Sequence, residues 1–245
     1  MLQVKEALFS TGQRFSSFLH LPHREQEPQL TLKSKILISG LAGTGKTELI
    51  NQMGLDLHLT PEQYEKIGER QRQRYREKFG QDTLGYLSRE EQDDIDFDNL
   101  IKEKITHPKE PPFLLEAHLA ALDAYELKLA GESLENVFSV LLICSDQGER
   151  LDRVWRRDRQ KKPDLREEDS DSQTLDRENL DLEQYRKTHP ILQENLSLDP
   201  RNPSDREWRN VLYNIVIDTK GKSVEQVKKE LEQKLIDIEA IETIK

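Results

Sequence analysis

The chain has 245 residues, 34% of them apolar and 34% charged, enough to bury one large core or two small ones. Its 37 Lys and Arg against 47 Asp and Glu leave a formal charge of −10, a poor match to DNA or an anionic membrane. A single cysteine, Cys144, excludes a disulfide framework and a cysteine-rich zinc site, and no run of 18 apolar residues offers a spanning helix.

Residues 1–34 read as an N-terminal extension, with Val4, Leu8, Phe15, Phe18 and Leu19 placed to line one side of a helix. Lys5, Glu6 and Arg14 break up any signal-peptide core, so the chain reads as cytoplasmic. Pro22 and Pro28 predict an irregular stretch over 21–31, with order starting at Lys35. Ile36-Leu37-Ile38 predicts a buried strand, a glycine cluster spans 40–45, and a helix starts at Lys46. From 60 to 104 the chain reads as charged helix, started by Thr60-Pro61-Glu62-Gln63 and interrupted at Gly80 and Gly85. Pro108, Pro111 and Pro112 lead into a second strand at 113–115. A helix over 119–129 stops before Gly131. The strongest strand is 137–143, with Cys144 grouped in it as a small buried hydrophobe. Asp146 then stands where a helix cap is expected. A helix over 150–159 is followed by a polar segment, 160–179, predicted to be mobile, and by helical turns around Pro190. A strand over 211–217 precedes a last helix, where Ser223 and Gln226 form a capping box. Strands alternating with helices predict an α/β fold with a parallel sheet.

Gly40-Leu41-Ala42-Gly43-Thr44-Gly45-Lys46-Thr47 fits G-x-x-x-x-G-K-[ST] without a departure, between a strand and a helix. Glycines let successive backbone N–H groups close around phosphate oxygens, and the helix start adds its positive dipole end. Lys46 is placed for the β- and γ-phosphates and the Thr47 hydroxyl for Mg²⁺. The motif therefore predicts a nucleoside triphosphate and Mg²⁺ as ligands. No Asn-Lys-x-Asp motif marks a GTPase, and only one acid, Glu116, ends the second strand. Glu116 is a candidate to hold a metal-bound water or to orient an acceptor. Asp94-x-Asp96-x-Asp98 has neither the glycine nor the final glutamate of a calcium loop. Arg150, Arg153 and Arg157 recur at helical spacing and present guanidiniums on one face, suited to the charge that spreads over a transferring phosphoryl group.

On these features the chain resembles the cytidylate kinase-like branch of nucleoside monophosphate kinases, over about residues 35–235. The resemblance rests on the phosphate loop, Phe113-Leu114-Leu115-Glu116-Ala117-His118, the arginine helix, and Tyr213-Asn214-Ile215-Val216-Ile217-Asp218-Thr219. It implies a five-stranded parallel sheet with helices on both faces, within a kinase domain over 35–245. It also implies a helical acceptor-binding insertion at about 60–110 and an arginine-bearing lid at about 148–190. It implies transfer of the γ-phosphoryl of ATP to a small acceptor, a nucleoside monophosphate, with Lys46 and Thr47 serving ATP and Mg²⁺ and Arg153 and Arg157 as lid arginines; Glu116, from its place at the strand end, joins Lys46, Arg153 and Arg157 as a catalytic candidate. The family's third strand runs into Glu-Gly-Arg; here that place reads Glu116-Ala117-His118, and Glu65 stands where an acceptor-helix arginine is expected. The altered acceptor half leaves a second reading open, a nucleotide-dependent switch or ATP-binding module without acceptor chemistry.

Overall fold

The structure is a computed structural model, and it describes residues 29–79, 91–107, 111–195, 198–201 and 206–244. The helix expected within 1–28 and the interruptions at Gly80 and Gly85 lie outside the described residues. In chain order the elements are β1 (Gln29–Leu32), β2 (Lys35–Ser39), α1 (Lys46–Asp56), β3 (Tyr64–Lys66), α2 (Ile67–Phe79), α3 (Glu91–Thr106), β4 (Leu114–Glu116) and α4 (Ala120–Leu129). They continue with β5 (Val137–Ile143), α5 (Gln147–Arg159), α6 (Glu167–Thr188), α7 (Pro190–Glu194), α8 (Arg206–Leu212), β6 (Ile215–Asp218), α9 (Val224–Asp237) and β7 (Ile241–Ile244). Among the described residues no helix is long and apolar enough to cross a membrane.

Five strands form one parallel sheet in the order β3-β4-β2-β5-β6. The period-2 alternation of side chains sends β2 residues to both faces. Ile36 and Ile38 pack with Leu49, Ile50 and Met53 of α1 and Val227, Leu231 and Leu235 of α9. Leu37 points the other way, toward Phe97, Ile101 and Ile105 of α3 and Ala120 and Ala124 of α4. Leu141 of β5 joins a third cluster under α4, with Tyr185, Leu192 and Leu212. Ile36, Leu37 and Ile38 are all fully buried, each contributing roughly 1.5–3 kcal/mol. Such two-sided burial explains why β2 reads as an unbroken apolar run. Lys35 adds a lock at the strand start, donating to the carbonyls of Lys104, Ile105 and His107 at 2.8, 2.8 and 2.9 Å, at the C-terminus of α3.

The α/β architecture, the parallel sheet and the helices on both faces follow the expectation. Several local readings are corrected. Order begins before Lys35: β1 pairs antiparallel with β7, and Leu32 and Ile241 enter the α1/α9 side of the core. The helix expected to start at Thr60 does not form there: Thr60 N donates to Gln63 Oε1 at 3.1 Å, but Gln63 N closes a turn on the Thr60 carbonyl at 2.9 Å instead of being capped by the Thr60 hydroxyl. The chain then leaves as β3, because Gln63 O accepts from Leu114 N at 2.8 Å and the Tyr64 ring covers Gly54. The strand expected over 211–217 starts only at Ile215. Leu212 ends α8 and fills the third cluster with Tyr213. Cys144 lies one residue beyond β5 and is half-buried.

The largest correction concerns 160–179, which contains most of a 22-residue helix, α6, rather than mobile chain. Ser170, Thr174, Glu178, Asp181 and Tyr185 are buried at spacings of three and four, so α6 docks through a polar stripe that an apolar-periodicity reading passes over. The two predicted caps form as expected. Asp146 accepts from Glu149 N at 3.1 Å, and Ser223 and Gln226 complete their capping box at 2.8 and 3.2 Å.

Candidate active site

The strand order reverses at β2, with β4 on one side and β5 on the other, and parallel sheets bind ligands beyond the carboxyl ends of strands at such a point. The glycine loop leaves β2 there. Gly40 has φ +146°, and a Cβ on it would stand 2.4 Å from Leu142 O; Gly43 has φ +81°, and its Cβ would meet Arg150 O at 2.3 Å. Both glycines therefore allow close backbone approach to β5 and α5 that no side chain permits. Thr44 Oγ1 closes the loop internally on Leu41 O at 2.9 Å.

Lys46 is 5% exposed and donates from Nζ to Leu41 O at 2.9 Å. Burial lowers its pKa to about 8 against the opposing pull of Glu116, with Arg177 and Arg157 adding to the lowering. A cation held this way has a deficit of negative partners that phosphate oxygens would supply. Next to it, Thr47 Oγ1 donates to Glu116 Oε2 at 3.3 Å, and Glu116 is itself buried at the end of β4. The hydroxyl and carboxylate form a hard-oxygen pair beside a phosphate loop, which fits Mg²⁺ completed by water and phosphate oxygens.

Loop and acid open into a cleft of about 720 Å³. Arg153 and Arg157 of α5 line it. Arg153 is tied to the end of β6, donating from Nη2 to Thr219 O at 2.8 Å and from Nη1 to Thr219 Oγ1 at 3.2 Å. Arg157 Nε donates to Asp158 Oδ1 at 2.8 Å. Arg150 behaves differently from its two neighbours. It is buried, donates to Ala42 O at 2.9 Å, and forms a two-pronged pair with Glu178 of α6 at 2.6 and 3.0 Å. It joins the long helix to the phosphate loop rather than facing a ligand.

The opposite wall is where the sequence reading was thinnest. His118 lines the cleft, with Nδ1 3.7 Å from Asp181 Oδ2 of α6. Arg72 of α2 reaches toward the same place: its Nη1 and Glu116 Oε1 lie 3.6 and 3.8 Å from where a Gly68 Cβ would be. Arg177 of α6 also lines the cleft. Sequence reasoning missed Arg177 because it sat in a segment expected to be mobile. Arg70, Arg72, Arg74 and Arg76 recur every two residues and so spread around a helix, which leaves Arg72 unmarked by spacing; Gly68, one turn earlier, leaves room for its guanidinium. Glu65, at the expected arginine position, instead pairs with Arg70 and with Lys104 at 3.0 Å. In all, eight Lys and Arg side chains and three Asp and Glu side chains line the cleft of a chain whose net charge is −10.

No family model matches the chain, and no curated protein matches it in sequence. Among solved structures it is similar to an uncharacterized protein from Eubacterium ventriosum, at 14% identity over 82% of this chain and 97% of that one, with a TM-score of 0.50. A gluconokinase from Sinorhizobium meliloti aligns at 12% identity over 85% and 94% of the two chains, TM-score 0.49. A shikimate kinase from Acinetobacter baumannii aligns at 14% identity over 84% and 94%, TM-score 0.47. At such identities the likeness concerns the α/β fold alone; the site stands on its own geometry.

Proposed function

We propose that the protein transfers the γ-phosphoryl group of ATP to an anionic small-molecule acceptor, a nucleoside monophosphate of the cytidylate type being the first to test. The observation that carries this reading is the gathering of cations around one buried acid in an acidic chain. Lys46, Arg153 and Arg157 stand on the loop and α5 side, and Arg72 and Arg177 line the cleft from α2 and α6. A phosphate loop with one lysine suffices to hold a donor; arginines from two further helices fit a second anion or the charge that spreads between two.

Lys46 and the loop amides bind the donor phosphates. Thr47 and Glu116 Oε2 would hold Mg²⁺, which supplies charge neutralisation at the phosphates when bound. Glu116 Oε1 faces α2 and orients the attacking oxygen of the acceptor. That oxygen forms a bond to the γ-phosphorus as the bond to the β–γ bridging oxygen breaks, and ADP leaves. Arg153 and Arg157 hold the equatorial oxygens with directed hydrogen bonds. His118 stands at the position where the resemblance has an acceptor-facing arginine, and Arg72, out of register with the family's acceptor helix, lines the same cleft from α2.

The reading is tested by ADP formation with ATP and Mg²⁺ across CMP, dCMP, UMP, AMP, GMP and small hydroxyl acceptors, with Lys46→Ala as the blank. Acceptor-dependent ADP that disappears in the blank is the expected result. Tight ATP binding with no effect of any acceptor would favour a nucleotide-dependent switch instead.

A further inference from the structure

A second cluster of ionisable groups lies away from the cleft, where α3, α4 and the α6–α7 junction meet. One oxygen each of Asp98 and Asp123 and one ring nitrogen of His189 lie within 4.8 Å of one another. Asp123 and His189 are fully buried. Neither carboxylate oxygen of Asp123 has a hydrogen-bond partner, and its nearest cation is Lys102 Nζ at 3.6 Å. His189 Nδ1 is engaged by Glu126 Oε1 at 3.0 Å, which leaves Nε2 directed to the Asp98 side, 3.4 Å from Oδ2 and without a hydrogen bond. Lys102 is occupied chiefly by Glu126, at 2.9 Å.

Two features point to a ligand rather than to a closed ion network. A buried carboxylate with no hydrogen bond on either oxygen costs several kcal/mol unless something fills the space in front of it. The Glu126–His189 contact is the outer half of a carboxylate–histidine–metal arrangement, in which the carboxylate holds one ring nitrogen and turns the other toward the ion.

We propose that Asp98, Asp123 and His189 bind a divalent first-row transition metal, with Glu126 as the carboxylate that orients His189. One nitrogen and two carboxylate oxygens form a ligand set suited to Zn²⁺ or Mn²⁺, with water filling the remaining positions. The metal joins α3 of the insertion to α4 on the sheet and to the end of α6, and so fastens the wall that carries Arg177 to the rest of the domain. Protons are its competitor: the neighbouring carboxylates Asp98 and Glu126 outweigh burial and raise His189 to about 10, and burial raises Asp123 well above the carboxylate range.

The test is equilibrium dialysis of the chelator-stripped full chain against Zn²⁺ at pH 8, followed by metal analysis, with Co²⁺ as an optical probe of coordination. One equivalent of Zn²⁺ is expected, with a raised Tm and visible Co²⁺ bands. Glu126→Gln should weaken binding about 10- to 100-fold, and Asp98→Asn and Asp123→Asn should do so at least as much. Cys144→Ser and His118→Gln should retain the equivalent. Absence of stoichiometric metal from the wild-type chain, with no Tm shift, would overturn the proposal whether or not the variants fold. So would full retention of the metal in Asp98→Asn, whose half-buried side chain makes it the variant least dependent on core packing.

Discussion

Replacing Lys46 by Met should make the protein more stable while removing its grip on nucleotide. The ammonium is buried and its pKa falls from 10.5 to about 8, mainly through desolvation. A displacement of that size corresponds to about 3 kcal/mol of unfavourable folding free energy while the group is charged. Below pH 8 the lysine is protonated in both folded and unfolded chains, and the whole cost is present. Between pH 8 and 10.5 the folded state gives up the proton that the unfolded state keeps, and the cost fades. Methionine has nearly the same length and no charge; it forgoes the 2.9 Å hydrogen bond to Leu41 O, a loss of about 1 kcal/mol. The variant should therefore be more stable at pH 7 by roughly 2 kcal/mol, and that advantage should shrink by roughly 2 kcal/mol on going to pH 9.5. Urea unfolding of both proteins at the two pH values, with ATP·Mg²⁺ titrations at pH 7, measures this. An advantage that does not change with pH, or undiminished nucleotide binding by the variant, would refute the assignment of Lys46 as a strained phosphate ligand.

Four further changes separate the parts of the site. Glu116→Gln keeps shape and burial but removes the charge beside Thr47; turnover should fall by about 10²–10⁴-fold with thermal stability little changed, read by steady-state kinetics and a melting curve. Arg72→Ala should raise the KM for the acceptor and leave that for ATP nearly unaltered, since Arg72 faces Glu116 from the α2 side. Arg150→Met leaves Glu178 charged and buried, so it should destabilise the fold by about 3–5 kcal/mol in denaturant unfolding, and adding Glu178→Leu should restore most of that loss. Gly43→Ala would place a Cβ 2.3 Å from Arg150 O, and should abolish ATP binding in calorimetry, because the loop must back away from α5.

Much of the fold was legible because its signals are local. The buried strands are short apolar runs, the loop carries its glycines, and Asp146, Ser223 and Gln226 mark helix starts by side chains that reach two or three residues along the chain. What escaped was decided by distant partners. Gln29–Leu32 becomes a strand only because Ile241–Ile244 lies beside it. Tyr64–Lys66 turns a helix-start sequence into a strand because β4 offers an open edge. Helix α6 is held by Arg150 and Glu178, 28 residues apart, and its buried face is polar. The candidate site divides the same way: Lys46, Thr47, Glu116, Arg153 and Arg157 were readable from motif and spacing, and the structure gathers all five at one cleft. Arg72 and Arg177 enter from two other helices, and no spacing along the chain announces them. Arg150 shares the periodicity of Arg153 and Arg157 but is drawn inward by Glu178, which periodicity alone does not reveal.

Phosphoryl transfer to an acceptor, rather than to water, is the claim on which the rest depends. It is tested most directly by a single-turnover reaction with ATP carrying a labelled γ-phosphate, enzyme in excess, Mg²⁺ present, and the acceptor that best stimulates ADP formation. Label appearing in the acceptor at the rate at which ADP appears, and in neither product with Lys46→Ala, is the predicted result. Label appearing only as inorganic phosphate, at a rate the acceptor does not change, would contradict the account.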